Sequence, residues 1–327
     1  MTLNQPGLHV SLSILDLTPI KQDGDASANF RETLDLARHA ESWGYQRYWL
    51  VEHHNTAGVA GSATAVVMAH VAAGTKSIRV GAGGIMLPNH APLMVAEQFG
   101  TLAALYPGRI DLGLGRGINS DPATMRALRR IPGDMEEFPR DVQELLSYLR
   151  GPVPGQTVHA VPGEGCNLPV WILGTSLGGA QLAAALGLPF AFGSHFAPDQ
   201  LEVALTAYRG RFQPSAQCPK PQVMLSLAVV CADTDEEARF LFSSAQQVSD
   251  GPLQPPIPNY EQRLDPQRLA LLRRVMRYSL VGSPDTVAKG LADFTARYQP
   301  DEIIVTSQIY DHAARLRSFE LLQQIRG

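Results

Sequence analysis

Short apolar runs alternate with stretches of helical spacing along nearly the whole chain, and this alternation limits the folds open to it. Val10–Leu15, Tyr45–Val51, Ile78–Met86, Ile110–Leu114, Val170–Leu173, Phe190–Phe192, Val223–Val230 and Ile303–Thr306 read as strands. Helical spacing fills intervals at Ala28–Ser42, Ser62–Ala73, Pro92–Leu105, Ala180–Leu186, Asp199–Phe212, Pro284–Tyr298 and His312–Ile325, with Ser283 and Pro284 as an N-terminal signal. Strand then helix, repeated, means a parallel sheet covered by helices. About eight such units favour a closed (β/α)8 TIM barrel over an open doubly wound sheet. The 327 residues suit one barrel domain over 1–327, since such barrels hold about 250 residues or more around one core.

Two segments exceed ordinary connections and read as insertions after strands four and seven. Residues between Asp121 and Val170 carry extra helical stretches and a Gly/Pro-rich run, while Ser243–Leu264 holds four prolines and little periodicity. The second would hang over the C-terminal mouth of the barrel, as a candidate lid or a loose insertion. Gly165–Pro198 lacks Asp, Glu, Lys and Arg, but its glycines and prolines divide it into strand, helix and strand rather than a membrane span. A net charge of -4 gives no electrostatic pull toward nucleic acid or an acidic membrane, leaving a small-molecule partner as the default. Cys166, Cys218 and Cys231 form no C-x-x-C pair, which fits a reducing, cytoplasmic setting better than a disulfide framework.

Four constellations fall at strand ends. Glu52-His53-His54 follows the second strand; side-chain alternation turns His53 away from Glu52 and His54, so the three do not converge on one metal, and no metal site is expected. Two such histidines serve equally as loop hydrogen-bonding groups. Gly81-Ala82-Gly83-Gly84 closes the third strand, either as a bulge or where backbone approaches a flat ligand. Gly113-Leu114-Gly115-Arg116-Gly117 lacks the dinucleotide spacing, and exposes one arginine whose forked donors match a phosphate or an ordinary ion pair.

Gly174-Thr175-Ser176-Leu177-Gly178-Gly179 is a strand-to-helix turn, where free amides and two hydroxyls suit an anion. It also matches G-x-S-x-G, so a hydrolase with Ser176 as nucleophile, Asp250 or Asp285, and His312 is a remote alternative. His195 ends the sixth strand and, with His54, is a candidate for lining a substrate cavity.

With Glu52-His53-His54, Val80–Pro88, His90-Ala91-Pro92, Ala96-Glu97 and Gly108–Gly117 in this order and spacing, the chain resembles the bacterial luciferase-like flavin monooxygenase family over nearly its whole length. The Leu12–Leu17 opening and Ser194-His195-Phe196 look more like a subgroup of uncharacterised bacterial oxidoreductases than the light-emitting subunits.

The resemblance implies a (β/α)8 barrel, reduced FMN as cosubstrate, O2 as oxidant, and a homodimer packed through the second and third helices. It places His53 beside the flavin for proton transfer, Arg116 and the turn of Thr175, Ser176, Gly178 and Gly179 at the phosphate, and Gly83-Gly84 in a bulge, often with a cis peptide, behind the ring. Gly115 stands where luciferases carry a reactive cysteine, and Thr175 where the phosphate loop is acidic, which argues against light emission. Three readings follow: a monooxygenase fed by a separate flavin reductase, a hydride-transfer enzyme using F420, and a non-catalytic flavin-binding protein.

Overall fold

Strands that are apolar on both faces need cover inside and out, and the chain supplies it by closing its sheet. The computed structural model describes residues 10–117, 121–130, 134–247 and 251–326. In chain order the elements are β1 (Ser11–Asp16), α1 (Ala26–Trp43), β2 (Arg47–Leu50), α2 (Thr64–Gly74), β3 (Arg79–Met86), α3 (Pro92–Leu105), β4 (Ile110–Gly115), α4 (Pro122–Ala127) and α5 (Phe138–Leu149). Then come β5 (Val170–Gly174), α6 (Leu177–Leu186), β6 (Phe190–Phe192), α7 (Leu201–Arg211), β7 (Val223–Cys231), α8 (Asp235–Gln246), α9 (Pro266–Val275), β8 (Ser279–Gly282), α10 (Pro284–Tyr298), β9 (Glu302–Thr306) and α11 (His312–Arg326).

Eight strands pair in parallel around a ring, β1 through β7 and then β9, which returns to β1. This is the expected TIM barrel. β8 lies outside the ring, paired among the described residues only with the last residues of β7, and was not foreseen. The charge-free stretch 165–198 becomes β5, α6 and β6, and among the described residues no helix is long and apolar enough to cross a membrane.

Helix boundaries follow local chemistry. Asp25 caps α1 by accepting from Ala28 N at 2.6 Å, and Gly44 ends it at φ 85°, the left-handed region that favours glycine. Between them, Leu36, Ala37 and Ala40 are buried toward the sheet.

Side-chain alternation sorts the strands into an outer face under the helices and a layered interior. In the lowest layer Arg47 reaches Asp111 at 2.7 Å and Glu302 at 3.0 Å, Arg79 reaches Asp111 at 2.5 Å, and Ser13 donates to Glu302. Burial opposes the charge on Arg47, but Asp111 and Glu302 raise its pKa.

Above this layer Leu15, Trp49, Val51, Trp171, Ala191, Met224 and Ile304 form a separate apolar cluster. Trp49 and Trp171 meet edge to face at 5.6 Å. A Cβ on Gly81 would stand 2.3 Å from Trp49 Nε1, so that glycine makes room for a tryptophan rather than for a ligand.

Candidate active site

The phosphate-type donors gather where β4 and β5 leave the barrel. Gly115 stands opposite Leu173 in the parallel register, so Arg116 and Gly174 emerge next to each other. The Arg116 side chain is exposed. α6 begins at Leu177, three residues earlier than the spacing suggested, and this makes Ser176 its N-cap residue.

The Ser176 hydroxyl makes no capping hydrogen bond, so the first-turn amides have no side-chain acceptor there. A Cβ on Gly179 would lie 3.3 Å from Gly174 Cα, whereas one on Gly178 would meet nothing within 4 Å. Gly179 therefore lets helix and strand approach, and Gly178 leaves the turn open. One cation, the hydroxyls of Thr175 and Ser176, and helix-terminal amides suit a phosphate monoester.

The floor of the mouth is small and partly polar. The Gly83-Gly84 peptide is cis, and the β3–β4 register shifts between Ala82 and Ile85. A Cβ on Gly84 would lie 2.7 Å from Gly113 O, so only bare backbone fits the bulge. At the end of β9 the buried hydroxyl of Thr306 has no hydrogen-bond partner among the described residues. A bulge of bare backbone and an unused hydroxyl fit a flat polar ring better than an apolar plug.

Beside this floor, Glu52 is almost fully buried and gathers side chains from two strand exits. Its Oε1 is 2.9 Å from His54 Nε2, 2.9 Å from His90 Nε2 and 3.1 Å from Asn89 Nδ2. Its Oε2 accepts from Met86 N at 3.0 Å and lies 3.0 Å from His90 Nε2. Burial works against the carboxylate, but hydrogen bonds from His54 and His90 hold its pKa down to about 2.

The hydrogen bond to Glu52 raises the pKa of His54. His53 lies outside this cluster: its backbone N–H donates to Gly61 O, and Ser62 Oγ donates to its carbonyl. Desolvation lowers the His53 pKa, with Glu52 opposing and His54 adding to the shift. That keeps the ring neutral near neutral pH, with its side chain accessible at the mouth. His90, quoted in the sequence only within His90-Ala91-Pro92, belongs to the cluster through a contact that no local spacing encodes.

His195 occupies the β6 side of the same mouth. Its Nδ1 lies 2.6 Å from Ser226 Oγ, and Ser226 shares the interior face of β7 with Met224. Burial pulls its pKa down to about 4, so it is neutral at physiological pH.

The insertion foreseen at Ser243–Leu264 is partly helical, since Ser243 to Gln246 form the last turn of α8. Its residues 248–250 lie outside the described residues. Leu253 is bonded to the β1 exit, donating to Ile20 O at 2.7 Å and accepting from Gln22 N at 2.9 Å. The β1 exit is in turn bonded to the β2 exit, with Ile20 N donating to Gly58 O and Ala60 N to Thr18 O. The described part of the insertion is thus tied to the β1 exit, which is itself bonded to the loop after Glu52–His54.

The hydrolase alternative fails on geometry. Ser176 follows β5, whereas His312 follows β9, three strands away around the ring, and turns Nε2 toward Asp35 Oδ2 at 2.8 Å. Asp285 is exposed in the first turn of α10, and Asp250 lies outside the described residues.

The sequence and the fold are similar to those of known proteins. A family model described as luciferase-like monooxygenase matches residues 10–298. A protein of Escherichia coli K12 named luciferase-like monooxygenase is 50% identical over 325 residues, covering 97% of each chain. Among solved structures, apo-MsnO8 superposes with a TM-score of 0.85 at 33% identity, covering 97% of this chain and 98% of its own.

The FMN complex of the oxygenating constituent of 3,6-diketocamphane monooxygenase from Pseudomonas putida shares the fold, with a TM-score of 0.74 at 18% identity and 97% coverage of each chain. So does an F420-dependent secondary alcohol dehydrogenase, with a TM-score of 0.68 at 14% identity, covering 98% of this chain and 100% of that one.

Proposed function

The chain belongs to the luciferase-like monooxygenase family, and from that premise we propose that it uses reduced FMN and O2 to oxygenate a small organic substrate. The observation that carries this reading is the adjacency of the β4 and β5 exits, one followed by Arg116 and the other by the Thr175–Gly179 turn. Together they supply a cation, two hydroxyls and helix-terminal amides for one dianionic phosphate. F420 is the alternative cofactor, and an F420-dependent enzyme shares the fold.

When bound, reduced FMN supplies two electrons to O2, so that one oxygen atom enters the substrate and the other leaves as water. Arg116, Thr175 and Ser176 hold the phosphate, and the Gly83-Gly84 bulge backs the ring. His53, accessible and neutral at physiological pH, moves a proton between the reacting groups and solvent. His54 and His195 face the substrate from opposite sides of the mouth, and the segment around Leu253 keeps bulk water out.

The electrons come from a separate flavin reductase, because the sequence carries no nicotinamide-binding motif. Exposed Val66 on α2, with Met94 and Leu105 on α3, supports a homodimer packed through those helices, which light scattering would check. Three free cysteines support a cytoplasmic setting. Oxygen consumption by the protein with reduced FMN and candidate substrates tests the reading. Substrate-dependent uptake supports it, and its absence alongside tight FMN binding would favour a flavin carrier.

A further inference from the structure

The Glu52 cluster is more than a buried ion pair. Both imidazoles turn Nε2 toward the carboxylate: His54 Nε2 lies 2.9 Å from Oε1, and His90 Nε2 lies 2.9 Å from Oε1 and 3.0 Å from Oε2. With Asn89 Nδ2 at Oε1 and Met86 N at Oε2, the carboxylate holds a full set of four N–H partners. The same two Nε2 atoms can instead share a cation with the carboxylate, each acting as a lone-pair donor while Asn89 and Met86 keep their hydrogen bonds.

The ligand atoms of Glu52, His54 and His90 all lie within 4.8 Å of one another. Ligands at about 2.0–2.1 Å around a tetrahedral Zn2+ stand roughly 3.3 Å apart; the two 2.9 Å imidazole–carboxylate separations would open by a few tenths of an ångström, and the two imidazole nitrogens already lie within 4.8 Å of each other. Asn89 Nδ2 and Met86 N already orient the carboxylate from behind, as outer-shell partners do at metal centres. The His54 and His90 side chains are 22% and 28% exposed, which leaves an entry path and room for water as a fourth ligand.

We propose that Glu52, His54 and His90 bind one divalent transition-metal ion, with Zn2+ the best match to two imidazoles and a carboxylate. The ion ties the β2 exit to the turn after β3, on the wall of the mouth that also carries His53. This site stands independently of the flavin assignment, because its donors are separate from Arg116 and the Thr175–Gly179 turn.

The test is a Co2+ titration of the full chain after chelator treatment and without flavin, followed by displacement with Zn2+. One equivalent of Co2+ should give the intense visible bands of a four- or five-coordinate site, and Zn2+ should abolish them and raise the melting temperature.

His90→Gln and His54→Gln, each keeping an N–H donor for Glu52, should lose the bands while melting cooperatively in chelator. Asn89→Ala should weaken binding about 10-fold. His159→Gln, at the exposed His159–Glu164 pair, should change nothing. Weak, octahedral-type Co2+ spectra in the wild type, or bands that persist in both glutamine variants, would overturn the proposal.

Discussion

Gly115 of β4 and Leu173 of β5 stand opposite each other in parallel register, so the next residues, Arg116 and Gly174, leave the barrel together. That pairing brings the strand exit that carries Arg116 beside the one that leads into an uncapped helix N-terminus, although the two motifs are far apart in sequence. Arg116→Ala should therefore weaken FMN binding by about 1.5–3 kcal/mol, roughly 10- to 100-fold, the range of a charge-assisted hydrogen bond. Riboflavin, which lacks the phosphate, should lose little. Fluorescence titrations of both ligands against both proteins measure this, and equal losses would remove Arg116 from the phosphate site.

In the proposed function His53 carries the proton-transfer role, and its main-chain bonds to Gly61 and Ser62 survive truncation of the ring. His53→Ala should retain FMN affinity and lose about 10²- to 10⁴-fold in turnover with reduced FMN. Unchanged oxygen uptake would show that the imidazole does not take part.

Arg47 holds two carboxylates in the sealed lower layer of the barrel. Arg47→Met would leave Asp111 with Arg79 and a 3.3 Å hydrogen bond from Trp49 Nε1, and Glu302 with Ser13. The loss should be about 3–5 kcal/mol, typical of breaking a buried pair by removing one partner, and denaturant unfolding would read it directly. A loss below about 1 kcal/mol would mean that water or a side-chain shift compensates.

Glu41 supplies a pH-dependent anchor outside the site. It accepts from Lys76 N, Ser77 N, Ser77 Oγ and Ile78 N, at 2.8, 2.5, 3.0 and 2.9 Å. Desolvation pushes its pKa up, but these donors outweigh it and hold the pKa near 2, below the ordinary 4.5. Because the folded pKa is depressed, the stabilisation is full above about pH 4.5 and fades as pH falls toward 2.

Glu41→Gln should cost about 1 kcal/mol at neutral pH, discounted for solvent screening. The gap from the wild type should close across that acidic window. A gap independent of pH would assign the effect to packing.

The barrel was legible because each strand of the ring is a mostly apolar run followed by a helix or a turn. β8 was not, because Ser279–Gly282 is too short a run to stand out and pairs with β7 alone. Strand ends singled out His53, Arg116 and the Thr175–Gly179 turn as candidates, since a parallel register brings consecutive exits together. The Glu52–His90 contact spans 38 residues and the His195–Ser226 contact 31, and both depend on three-dimensional closure that no local spacing records. Gly81 was ambiguous for a related reason: only the rotamer of Trp49 shows that the missing Cβ serves packing.

The most direct measurement is a titration of the purified protein with FMN and then with F420, followed by fluorescence. The account predicts saturable binding of FMN and little response to F420. Tight binding of F420 with no response to FMN would contradict it and make hydride transfer, not oxygenation, the reaction of this barrel.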